Sequence, residues 1–69
     1  MQKWEYLLLI RKRKGNGYIW EDQPNLNQSL VERLNELGAQ GWEVLGFSQA
    51  FTEFGAISER EFLLKRPTD

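Results

Sequence analysis

The segment Trp4-Glu5-Tyr6-Leu7-Leu8-Leu9-Ile10 reads as a β-strand that is apolar on both faces, which limits the folds open to the chain. Side chains of a strand alternate, so Trp4, Tyr6, Leu8 and Ile10 share one face and Leu7 and Leu9 the other. Only one later segment has helical periodicity, and a single helix shields one side of a sheet. The second apolar side then calls for another subunit or a ligand.

Behind this strand come Arg11-Lys12-Arg13-Lys14, Gly15-Asn16-Gly17 and the β-prone Tyr18-Ile19-Trp20. Asn-Gly between two such segments predicts a hairpin with a type I′ turn at Asn16-Gly17, because both central positions need positive φ. The resulting register sets Gly15 against Tyr18, Lys14 against Ile19, Arg13 against Trp20, Lys12 against Glu21 and Arg11 against Asp22. It puts Tyr18 and Trp20 on the face of Leu7 and Leu9. Trp4, Tyr6, Leu8 and Ile10 are assigned to the helix, which leaves Leu7, Leu9, Tyr18 and Trp20 as the expected contact patch.

Asn25, with Gln28 three residues on, predicts a helix start, and Asn27 is a competing cap. Leu26, Leu30, Val31, Leu34 and Leu37 recur at helical spacing, and Gly38 is expected to supply the left-handed residue that closes the helix. Residues Trp42–Phe51 and Ser58–Lys65 read as strands joined through Glu53-Phe54-Gly55, and Pro67 is expected to end the last one. Val44 then faces Leu64 and Leu45 faces Leu63. The expected fold is one α+β domain over residues 1–69, with a core at 2–66 and a tail at 67–69. Its element order is β-β-α-β-β, in a four-stranded antiparallel sheet with one helix on one face. A strand order 2-1-3-4 is the spatial expectation.

A chain of 69 residues builds only a modest core, and without cysteine it has no disulfide or thiolate metal site to reinforce it. Oligomerisation is the remaining common route to stability. The absence of histidine removes the usual zinc ligand and the usual base near neutral pH, so no cofactor or metal is expected. Nine Lys and Arg balance ten Asp and Glu, which gives no overall field for a polyanion or an anionic membrane. Neither a signal peptide nor a membrane-spanning run is recognisable, and a cytoplasmic protein is expected.

Three segments, Trp4-Glu5-Tyr6, Leu34-Asn35-Glu36-Leu37-Gly38-Ala39-Gln40-Gly41-Trp42-Glu43-Val44 and Lys65-Arg66-Pro67, resemble a small bacterial family catalogued as domain of unknown function 4177. The resemblance implies a bacterial α+β domain and supplies no activity. The same residues have a structural reading. Trp4 and Tyr6 line the first strand, Leu34 and Leu37 dock the helix, Gly38 and Gly41 allow the turn, and Trp42 seals the core.

Chemistry is harder to place. The acids on or near strands, Glu5, Glu43, Glu53, Glu59 and Glu61, show no spacing that selects a catalytic or metal-binding pair. Ser29, Ser48 and Ser58 have no histidine to activate them, and Gly15-Asn16-Gly17 is not a phosphate loop. Arg11, Arg13 and Lys14 beside Trp20 form the alternative site, a nucleic-acid contact, although pairing with Glu21 and Asp22 argues against it. The expectation is a non-enzymatic interaction or regulatory module. It would act as a homo-oligomer, dimer or higher, or with a protein partner, away from nucleic acid and membranes. Small-ligand binding at a subunit boundary is the further alternative.

Overall fold

The computed structural model describes residues 1–53, 55 and 57–68. The element order is β1 (Lys3–Lys14), β2 (Gly17–Trp20), α1 (Leu30–Ala39), β3 (Glu43–Phe51) and β4 (Ile57–Thr68). The four strands form one antiparallel sheet with α1 on one face, as expected. Their order is β2-β1-β4-β3, which corrects the predicted 2-1-3-4. Composition explains the exchange. β4 carries Phe62, Leu63 and Leu64 and spans twelve residues like β1, so it takes the central place. β3, with Gly46, Ser48, Gln49 and Ala50, is exposed throughout and forms an edge.

The first hairpin turns at Gly15-Asn16 rather than Asn16-Gly17, with Lys14 opposite Gly17, Arg13 opposite Tyr18, Lys12 opposite Ile19 and Arg11 opposite Trp20. Gly15 has φ 61° and Asn16 has negative φ, the pattern of a type II′ turn with glycine first. This slides the predicted pairing by two residues. Two is one full pleat, so Tyr18 and Trp20 stay on the face of Leu7 and Leu9.

Helix α1 begins later than predicted. Ser29 is the N-cap: its hydroxyl accepts from the Glu32 amide at 3.2 Å, and the Glu32 carboxylate accepts from the Ser29 amide at 3.3 Å. This reciprocal box satisfies two amides that the helix start would leave unpaired, and neither Asn25 nor Asn27 is used. At the other end Gly41, not Gly38, takes the left-handed conformation, with φ 94°. The Gly41 amide donates to the Gly38 carbonyl at 3.0 Å and the Trp42 amide to the Leu37 carbonyl at 3.1 Å. Those two bonds make a Schellman closure. Leu37 and the partly buried Trp42 supply its apolar contact, both belonging to the core cluster.

In the second hairpin Val44 faces Leu64 as predicted, but a bulge absorbs Leu45 and brings Gly46 opposite Leu63. The predicted loop Glu53-Phe54-Gly55 includes Phe54, which lies outside the described residues, while Gly55 has φ 83°. Pro67 does not end β4. It pairs with Trp4, and Lys3 with Thr68, so residues 67 and 68 belong to the sheet rather than to a tail. The ladder with β3 begins only at Glu43 and Lys65, so no neighbour on that side requires an amide from Pro67.

The core is Leu9, Trp20, Leu37, Phe62 and Leu64, with Leu7, Leu26, Leu30, Leu34 and Trp42 packed around it. A helix of ten residues is about 15 Å long, whereas a strand of twelve residues extends about 40 Å. α1 therefore covers the part of the sheet holding Leu7, Leu9, Phe62 and Leu64. The tip of the first hairpin projects beyond it.

Candidate functional site

The helix lies on the face opposite to the one predicted. Leu9 and Trp20 are each 1% exposed and Leu7 is half-buried, so these three members of the expected contact patch belong to the core. Tyr18, at the hairpin tip beyond α1, is the one exposed member. Trp4, Tyr6 and Leu8, expected beneath the helix, lie on the uncovered face with exposures of 44%, 62% and 54%.

That uncovered face can be built from the register. Tyr6 is opposite Lys65, Leu8 opposite Leu63, Ile10 opposite Glu61 and Lys12 opposite Glu59. On the next strand Gly46 stands beside Leu63 and Ser48 beside Glu61. The bulge turns Leu45 toward the same side, where Leu45, Gly46, Ser48, Glu61, Leu63 and Leu8 border a trough of about 370 Å³. Leu45 and Leu63 are exposed there. The Lys65 ammonium lies 4.1 Å from the centre of the Trp4 ring, and the Ser48 hydroxyl donates to Glu61 at 3.3 Å. The result is an apolar band through Trp4, Tyr6, Leu8, Leu45 and Leu63, with acids toward one end of β4 and a lysine toward the other.

The helix side has a different electrostatic arrangement. Trp20 donates from its indole nitrogen to the Gln28 carbonyl at 3.0 Å, and the guanidinium carbons of Arg11 and Arg33 stand 4.8 and 5.5 Å from its ring centre. Arg11 also lies 5.6 Å from the Tyr18 ring. Arg33 is 5% exposed and donates to the Asp22 carboxylate at 2.5 Å. Asp22 thus serves Arg33 rather than Arg11. On the uncovered face, Lys12 keeps Glu21 as an ion-pair partner at 3.2 Å, along the diagonal. Across the far end of the sheet, Arg66 pairs with Glu5 and lies over Trp42 at 4.5 Å.

For the nucleic-acid alternative, Arg11 caps rings of its own chain and Trp20 is enclosed, so neither offers a free stacking plane. Arg13 and Lys14 are exposed at the hairpin tip. Among the residues of the central motif, Leu34, Leu37 and Trp42 dock the helix and Gly38 and Gly41 serve its closure, which are structural tasks. Leu45 and Leu63 were missed as surface residues. The alternation Glu59, Glu61, Leu63, Lys65 against Phe62 and Leu64 was the signal that could have found the uncovered side. Among the described residues, no three of His, Cys, Asp and Glu gather to hold a metal ion, and no helix is long and apolar enough to cross a membrane.

Comparison with protein-family models, curated proteins and solved structures found no match for this chain. The family resemblance therefore rests on its three sequence segments alone.

Proposed function

We propose that this protein is a non-enzymatic interaction or regulatory module that self-associates through the uncovered face of its sheet. The observation carrying this reading is the apolar band of Trp4, Tyr6, Leu8, Leu45 and Leu63, left in solvent opposite the helix. A monomer of this size exposing such a contiguous patch marks an association site.

Charge placement supports a second copy as the occupant. On β4, Glu61 and Lys65 flank Leu63 symmetrically, one on each side. Two sheets facing each other about a two-fold axis across the strands at Leu63 bring Glu61 of each copy over Lys65 of the other. Leu8 then meets its own equivalent. Such an interface is isologous and closes at two subunits. The gap beside Gly46 gives an opposing side chain room to enter, since nothing lies within 4 Å of a Cβ built there.

Light scattering coupled to size exclusion over a range of concentrations tests the reading. Twice the chain mass is expected for the wild type, the monomer mass for Leu8→Glu, and an unchanged dimer for Lys14→Glu. A wild-type monomer at every concentration overturns self-association. Glu61→Lys should weaken the dimer, and adding Lys65→Glu should restore it. Failure of that restoration rejects this axis.

A further inference from the structure

At the level where α1 begins, one row of side chains crosses the helix side of the sheet: Trp20 on β2, Arg11 on β1, Arg60 on β4 and Gln49 on β3. Arg11 and Arg60 are direct cross-strand partners, and like charges in that relation destabilise a ladder. Among the described residues, no carboxylate forms an ion pair with either. The Arg60 Nε is buried and lacks a hydrogen-bond partner. The Arg11 guanidinium lies over the Tyr18 and Trp20 rings, which supply no hydrogen-bond acceptor of carboxylate type. The nearby acid Asp22 is already committed to Arg33.

Beside this row lies a recess of about 240 Å³ lined by Leu30, Phe47, Gln49, Arg60 and Phe62. Its walls are mainly apolar, and Phe47 and Phe62 stack with centroids 6.0 Å apart. Its polar groups are one guanidinium and one carboxamide. An apolar recess with a planar guanidinium at its rim matches a compact apolar body bearing one carboxylate.

We infer that this recess binds a small organic acid. Its carboxylate pairs with the Arg60 guanidinium beside the Gln49 amide, with Arg11 adding positive charge from the neighbouring strand, and its aryl or branched aliphatic body rests against Leu30, Phe47 and Phe62. The site is on the opposite side of the sheet from the proposed dimer face and does not depend on self-association.

Phenylacetate is a suitable probe, followed in isotope-labelled protein by the Arg60 Nε–H, Gln49 amide and Leu30 methyl resonances. Saturable shifts at all three are expected, together with a raised melting temperature. The uncharged isostere 2-phenylethanol should leave the Arg60 signal unmoved. Arg60→Met should weaken phenylacetate binding at least about tenfold, the loss expected for a charge-assisted pair. Arg60→Lys, which keeps the charge without the fork, provides the same comparison should Arg60→Met fold poorly, and should also bind more weakly. Lys14→Met should bind as the wild type does. Absence of saturation, equal shifts with 2-phenylethanol, or unchanged affinity in the Arg60 variants would falsify the site. Inorganic phosphate competing as well as phenylacetate would overturn the apolar-acid class.

Discussion

Leu8 and Leu9 are adjacent in β1 and chemically identical, yet Leu9 is 1% exposed and Leu8 is 54% exposed. The difference between them is the difference between the two faces of the sheet. Leu9 shares its side with Leu7, Phe62, Leu64 and Trp20, a patch without a charge at its centre. Leu8 shares its side with Leu63, but Glu61 and Lys65 stand directly on either side of that leucine. A helix laid over Leu8 would strip water from both charges, a cost that apolar burial would have to exceed. Laid over Leu9, the helix spans Leu7, Leu9, Phe62 and Leu64, with Arg11 and Arg60 at one border of that patch and Glu5 and Arg66 at the other. What separates the two sides is therefore where the charges stand: at the borders of the apolar patch around Leu9, but directly beside the apolar residue that faces Leu8.

The comparison breaks most sharply at Leu9 and Leu8 themselves. Leu9→Ala should cost about 2–5 kcal/mol in urea unfolding, from lost burial and the cavity left behind. Leu8→Ala should leave the unfolding midpoint of dilute monomer nearly unchanged and reduce it only at concentrations where the assembly forms. Equal losses at both positions in dilute protein would contradict the assignment of faces. Asp22→Ala tests the polar lid over Trp20. It leaves the buried Arg33 without its carboxylate, and a loss of about 1–3 kcal/mol is expected by thermal or urea unfolding, moderated because Asp22 itself is half in solvent. Ser29→Ala, which dismantles the capping box, should cost about 1 kcal/mol and fray the first helical turn, visible as faster amide exchange at Val31 and Glu32. The smallest effect is expected for Glu21→Gln, whose ion pair with Lys12 is solvent-accessible. A change below about 1 kcal/mol that shrinks further with added salt should appear in the same unfolding measurement.

Much of the architecture is legible in the chain because its signals are local. Alternation in Trp4–Ile10, the period of Leu30, Leu34 and Leu37, and glycine at the turns identify the elements and their order. The partition of residues between faces also survives the misplaced hairpin turn, because sliding by a full pleat preserves it. Which face receives the helix depends instead on a non-local fact, that β4 rather than β3 lies against β1. Only with Leu63 placed beside Leu8, and its flanking Glu61 and Lys65 brought to that side, does the penalty for covering it become visible. The same applies to the arginine row. Arg11 and Arg60 are far apart in sequence, and no spacing rule brings them together. The helix start was missed for a local reason: Asn25 with Gln28 and Ser29 with Glu32 offer the same capping pattern. The second is used because it places Leu30, Leu34 and Leu37 over the core while Leu26 still reaches it from the preceding loop.

The irregularities of β3 bear on the kind of assembly this chain can tolerate. As a strand at the sheet's rim, exposed along its whole length and lacking lysine and proline, it has the makings of a template for runaway polymerisation. Its ladder, however, is interrupted between Val44 and Gly46 and again between Ala50 and Phe51. A second chain approaching that rim finds regular donors and acceptors only from Gly46 to Ala50, too short a run to seed a fibril readily. The bulges thus leave this rim a poor template for a further strand.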